Sequence, residues 1–89
     1  MTDKNKPWYV YIIRCNDHTL YTGVTNDLQR RIAEHNLGGN RGAKYTRPRR
    51  PVHLAYQEEL PSRSAACKRE YQIKQLSVHK KQQLIENLE

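Results

Sequence analysis

Trp8-Tyr9-Val10-Tyr11-Ile12-Ile13-Arg14-Cys15 is the stretch that decides the fold. Six of its residues are aromatic or β-branched, the composition of a strand. Asn16-Asp17-His18 then supply turn chemistry. Thr19-Leu20-Tyr21-Thr22-Gly23-Val24 resumes β composition, so the two segments predict a hairpin. Side chains alternate along a strand, so Tyr9 and Tyr11 share one face, and Tyr21 joins them if the register allows.

Beyond the hairpin the period changes. Asn26 is a suitable helix N-cap, with Gln29 three residues on to complete a capping box. Leu28 and Ile32 then form an apolar stripe at i, i+4. Arg31 and His35 run beside it, at the expected boundary between helix and sheet. Leu37-Gly38-Gly39 ends this helix. Residues 38–51 hold three glycines and two prolines and read as a loop. Val52 to Leu60 reads as a third strand, with Val52, Leu54 and Tyr56 on one face against His53 and Gln57. Ser62 is expected to cap a second helix whose apolar stripe is Ala66, Glu70, Ile73 and Ser77. Ser77 is expected to cap a last helix with apolar positions Val78, Leu84, Ile85 and Leu88. The order is β-β-α-β-α-α, an α+β fold with helices packed on one small sheet. Residues 1–6 read as a disordered tail and 7–89 as a single domain, expected to be monomeric.

Bulk composition narrows the partner. The 89-residue chain has 16 Lys and Arg against 9 Asp and Glu, a formal charge of +7. That is the footprint of a protein that meets a polyanion. No basic amphipathic helix with an aromatic face points to a membrane surface, and no segment approaches transmembrane length. Cys15 and Cys67 lie far apart and belong to no CxxC, whereas a structural zinc site or a disulfide scaffold would need more ligands or a tighter spacing. Both are expected as small buried hydrophobes in a reducing cytoplasm.

Four groups of residues have chemistry to offer, each with a plainer structural reading beside it. The phenols of Tyr11 and Tyr21 can hydrogen-bond a phosphate or an attacking water, or simply pack. Gly23 would let substrate or backbone come close beside Tyr21. Arg31 can clamp a phosphate and His35 can relay a proton, or both can line a solvated helix face. Glu70 sits on the apolar side of a helix rich in Lys and Arg. It can form an ion pair or serve a hard divalent cation that needs one carboxylate plus water and phosphate. Arg41, Lys44, Arg47, Arg49 and Arg50, with no acidic residue among them, can neutralise phosphates, and Tyr45 can stack on an unpaired base.

Taken in order, these residues resemble the GIY-YIG nuclease superfamily. The two name-giving triplets stand as Tyr9-Val10-Tyr11 and Tyr21-Thr22-Gly23, with Arg31, His35 and Glu70 following. The resemblance runs from about Trp8 to Ile85 and is nearest to the small stand-alone bacterial proteins of the superfamily. Gly42-Ala43-Lys44-Tyr45-Thr46 and Arg63 to Tyr71 also look like the catalytic domain of eukaryotic structure-specific endonucleases that cut branched DNA. The resemblance implies a three-stranded antiparallel sheet flanked by helices. It implies cleavage of DNA phosphodiesters with one divalent cation, Mg2+ or Mn2+, held by Glu70. Arg31 would meet the scissile phosphate, and Tyr11 or Tyr21 would orient or deprotonate the water. Tyr9 stands where the family has glycine, and Thr22 where it has isoleucine. Asn87 is the only asparagine after Glu70 to compare with one that many family nucleases carry.

Three function classes follow. The first is a metal-dependent DNA endonuclease, structure-selective and linked to DNA repair or recombination, acting alone or with a protein partner. The second is a non-catalytic nucleic-acid-binding module on the same fold, which would need only the basic surface. The third is a basic protein-interaction domain.

Overall fold

The computed structural model describes residues 7–39 and 41–87. The expected tail at 1–6 and Leu88 lie outside these. The elements are β1 (Trp8–Arg14), β2 (Leu20–Thr25), α1 (Leu28–Leu37), a 3-10 turn (Arg47–Arg49), β3 (His53–Leu60), α2 (Arg63–Lys74) and α3 (Val78–Glu86). The strands form one antiparallel sheet in the order β2-β1-β3. The fold is therefore α+β, with a three-stranded antiparallel sheet flanked by helices in the sequence β-β-α-β-α-α.

β1 is central, and both its faces are covered. Tyr11, Ile13 and Cys15 point to one side, where Val52, Tyr21, Leu28 and Ile32 pack on them. Val10 and Ile12 point to the other, against Ile73, Leu84, Ile85, Leu20, Val24, Tyr56 and Leu60. So α1 covers one face and α2 with α3 the other. This explains why Val10 to Ile13 is an unbroken buried run and not an alternating one. The hairpin turn is the three-residue loop Asn16-Asp17-His18. Cys15 and Thr19 close it, and His18 takes the left-handed conformation at φ 71°. Histidine is among the residues that tolerate that region.

Three sequence expectations need correction. The cap of α1 is Asp27, whose side chain accepts from the Arg30 N–H, and not Asn26. Thr25 Oγ1 bonds the Asp27 N–H and carries the chain one residue further before the helix starts. The third strand does not keep Val52, Leu54 and Tyr56 on one face. The β1–β3 register passes from Ile12↔Tyr56 to Ile13↔Leu54, leaving Ala55 as an extra residue in a β-bulge. Leu54 and Tyr56 therefore face opposite sides, and Tyr56 joins Val10 and Ile12. Cys67 and Val78 are exposed, because α2 and α3 present Ala66, Ile73, Leu84 and Ile85 inward instead. Cys15 is buried as expected.

Two polar links fix the chain between α1 and β3. The Asn36 carboxamide pairs with the Val52 backbone in both directions, Oδ1 accepting at 2.7 Å and Nδ2 donating at 3.1 Å. Arg50 donates to the carbonyls of Asn36, Leu37 and Arg47. It thereby serves the unpaired carbonyls at the end of α1. On the other face, Arg69 of α2 bonds Glu58 of β3 at 2.8 Å.

The tightest approach in the sheet is between Tyr11 and Gly23, cross-strand neighbours. A Cβ on Gly23 would stand 2.5 Å from Tyr11 Oη and 2.7 Å from Cζ. The phenol therefore lies where any larger residue would put its side chain. Gly23 gives way to Tyr11, not to a substrate beside Tyr21. Alanine normally gains about 0.5–1 kcal/mol over glycine inside a strand. At Gly23 overpacking of a buried ring, typically about 1–3 kcal/mol, should outweigh that gain. We expect Gly23→Ala to lower stability in urea denaturation and to shift the Tyr11 ring resonances. A stabilised variant with unchanged Tyr11 shifts would contradict this packing.

Candidate active site

Tyr11 from β1 and His35 from α1 meet in the layer between helix and sheet. His35 is reached because Leu28 and Ile32 seat α1 on the sheet, turning the neighbouring track of the helix inward. The residue is fully buried. Its Nε2 lies 3.0 Å from Tyr11 Oη and its Nδ1 2.9 Å from Thr46 Oγ1. Thr46 Oγ1 in turn lies 3.2 Å from the Ala43 carbonyl, to which it donates. Tyr21, half-buried, packs edge-on against the imidazole at 5.5 Å between centroids.

The loop after α1 folds back to complete this set. Gly42 is buried against the end of α1, where a Cβ would come within 3.2 Å of the Glu34 carbonyl. Arg31 Nη1 reaches across to the Arg41 carbonyl at 2.6 Å and also bonds Glu34 at 2.9 Å. The Arg31 side chain keeps 27% of its surface open. Sequence reasoning had not singled out Thr46, Glu34 or Asn36. Thr46 lies in the Gly42–Thr46 segment that carries part of the resemblance, but nothing in that pattern marks its hydroxyl, and Asn36 looks from sequence like one more polar residue near a helix end.

The electrostatics follow from this burial. Burial pushes the Tyr11 phenol up to about 12, the nearby Arg31 guanidinium opposing it and the Tyr21 and Glu70 charges adding to it. Tyr11 is thus a neutral phenol at physiological pH. Burial, aided by the Arg31 charge, pulls His35 down to about 4, with Glu34 opposing. His35 is therefore neutral, with one donor and one acceptor nitrogen.

Glu70 stands on α2 between the buried Ala66 and Ile73, with 22% of its side chain exposed, and bonds Lys74 Nζ at 3.0 Å. It belongs to the other face of the sheet, yet its charge is felt at Tyr11. Among the described residues no three His, Cys, Asp or Glu side chains gather to form a metal cage. Asn87 ends α3 as its C-cap.

The basic loop is only partly free. Arg49 bonds Asp17 and the Tyr45 carbonyl, and its guanidinium lies 3.9 Å above the Tyr45 ring. Tyr45 stacks on Tyr21 at 5.9 Å and 18°. Arg50 is spent on backbone carbonyls, and Arg47 is half-buried. Arg41 and Lys44 are exposed, and neither side chain has an ion-pair partner among the described residues.

An antiparallel three-stranded sheet carrying these two tyrosine segments and an inward arginine–histidine helix defines a nuclease-type domain. Residues 7–83 match the family model of the GIY-YIG catalytic domain, and the chain belongs to that family. Its relatives include a UPF0213 protein of Desulfotalea psychrophila, 56% identical over 88% of this chain and 70% of that one. A UPF0213 protein of Staphylococcus haemolyticus is 54% identical over 88% of this chain and 93% of its own length. Solution NMR structures agree on the fold. The UPF0213 protein of Bacillus halodurans superposes with a TM-score of 0.57 at 45% identity, covering 90% of this chain and 83% of that one. A protein of E. faecalis gives 0.62 at 41% identity, covering 91% and 84%. Among the described residues no helix is long and apolar enough to cross a membrane.

The His35 environment has a consequence for pH. Its pKa is depressed in the folded state, so the unfolded chain binds the extra proton first. The contribution of neutral His35 is present above its ordinary value of about 6.5 and is lost as pH falls toward about 4. Its share of the slope approaches about 1.4 kcal/mol per pH unit for one proton. Urea denaturation across pH 4 to 8, with NMR titration of the His35 ring, checks this. A His35 titrating near 6.5 would contradict the burial described.

Proposed function

We propose that the chain is a divalent-metal-dependent DNA endonuclease that hydrolyses phosphodiesters with Tyr11, Tyr21, Arg31, His35 and Glu70. The observation that carries the reading is the Tyr11–His35 hydrogen bond at 3.0 Å, made between buried side chains on different elements. A purely binding surface has no need of it.

The donor chemistry suits Mg2+ or Mn2+. A single carboxylate, Glu70, is what such ions use when water and substrate phosphate fill the remaining positions. A cation held there would supply Lewis-acid neutralisation of charge on the phosphate. Arg31 stays charged at all relevant pH and keeps guanidinium donors beyond the Nη1 bonds that hold the loop. It would bind the scissile phosphate and offset the charge that builds on it. Tyr21, the more open phenol, would orient the attacking water. Tyr11 would take the proton of that water while passing its own to His35 Nε2. An imidazolium at His35 is disfavoured in the free protein partly by Arg31. A phosphate anion on Arg31 would offset that repulsion, so proton uptake would be favoured only with DNA in place.

Arg41, Lys44, Tyr45, Arg47, Arg49 and Arg50 would form the nucleic-acid surface. Arg41 and Lys44 are the most available for phosphates, while Arg49 and Arg50 shape the loop. Such contacts make binding fall steeply with salt. We place the protein, acting as a monomer in the cytoplasm with or without a protein partner, in DNA repair or recombination with a preference for branched DNA.

Nicking of branched, single-stranded and duplex DNA with Mg2+ or Mn2+ tests this. Glu70→Ala and Arg31→Ala should each lose about 100-fold or more of the wild-type rate. Cleavage unchanged in both variants would remove the site assignment. DNA binding without cleavage in either metal would instead favour the non-catalytic module.

A further inference from the structure

Thr46 occupies the N-cap position of the 3-10 turn Arg47–Arg49, yet its side chain makes no capping bond. Threonine at such a position ordinarily turns its oxygen to the backbone N–H groups ahead of it. Here the hydroxyl points the other way, fully buried, between His35 Nδ1 at 2.9 Å and the Ala43 carbonyl at 3.2 Å. A hydroxyl has one proton, and a carbonyl can only accept. The proton therefore goes to Ala43, and the oxygen is left to accept from Nδ1. That requires a proton on Nδ1 and leaves Nε2 with its lone pair facing Tyr11 Oη. In water the neutral imidazole favours the other tautomer, with the proton on Nε2, so this choice needs a cause.

We propose that Thr46 is a positioning residue that holds His35 in the Nδ1–H tautomer, so that Tyr11 donates to His35 and not the reverse. The bonds then run in one direction: Tyr11 O–H to His35 Nε2, His35 Nδ1–H to Thr46 Oγ1, Thr46 O–H to the Ala43 carbonyl. With the opposite tautomer His35 could not accept the Tyr11 proton. The buried phenol would also be left with a proton and no acceptor among the described residues. Gly42 lies close against α1 in the same loop, where a Cβ would come within 3.2 Å of the Glu34 carbonyl. The tautomer itself follows from the geometry alone; its effect on cleavage rests on the endonuclease reading above.

Two substitutions separate the hydroxyl from the volume. Thr46→Ser keeps the oxygen, and Thr46→Val keeps the shape without it. Long-range 1H–15N NMR of the imidazole reads the tautomer directly at neutral pH. Wild type and Thr46→Ser should show a protonated Nδ1, and Thr46→Val should shift to a protonated Nε2. Wild-type His35 protonated on Nε2 would overturn the proposal, even if the valine variant failed to fold. So would Nδ1–H retained in Thr46→Val. In the nicking assay, Thr46→Val should lose tenfold or more in kcat with DNA affinity unchanged. Thr46→Ser should stay within about threefold of wild type. A switched tautomer with an unchanged rate would overturn the positioning role while leaving the nuclease reading intact. No cleavage by wild type would count against that reading alone, with the tautomer spectra still deciding the role of Thr46.

Discussion

The hydrogen bond between Tyr11 and His35 ties the two halves of this small fold together at the site. It forms only because Gly23 leaves room for the phenol on the neighbouring strand. It also requires α1 to be seated on the sheet by Leu28 and Ile32. Burial then fixes the protonation of both partners, because neither a phenolate nor an imidazolium is well tolerated there. The loop from Arg41 to Thr46 is in turn organised around the same ring, through Arg31 on one side and Thr46 on the other.

One consequence is that the residues with chemical potential do not form an open cleft of charged groups. Tyr11 and His35 are buried, Tyr21 and Arg31 are half-buried, and Glu70 lies on the helix of the opposite face of the sheet, where it pairs with Lys74. The exposed cations Arg41 and Lys44 lie on the loop that Arg31 and His35 bind. Arg49 and Arg50 show that a basic residue in such a loop is not automatically a phosphate contact. Both are held by groups of the protein itself.

Much of this was legible in the sequence for physical reasons. Strand parity put Tyr11 on a defined face, and helical spacing put Arg31 and His35 beside the Leu28–Ile32 stripe. The glycines at 38 and 39 marked the end of α1. Other features needed three dimensions. The bulge at Ala55 separates Leu54 from Tyr56, and periodicity carries no sign of it. Asp27 displaces Asn26 as the cap because Thr25 bonds its N–H, a choice between two adjacent and chemically similar residues. Asn36 and Thr46 act through partners 16 and 11 residues away, across a loop whose path sequence does not define. Thr22, where the family motif carries isoleucine, is buried with a hydroxyl that finds no partner among the described residues. No feature of the strand composition signals that either.

The most direct measurement of the central claim is the hydroxyl proton of Tyr11 by NMR in the free protein. A buried, hydrogen-bonded phenol should show a slowly exchanging, downfield hydroxyl resonance. Nuclear Overhauser contacts should link it to the His35 ring and to the α-protons of Gly23. A Tyr11 hydroxyl that exchanges freely with water and shows no contact to either residue would contradict the account.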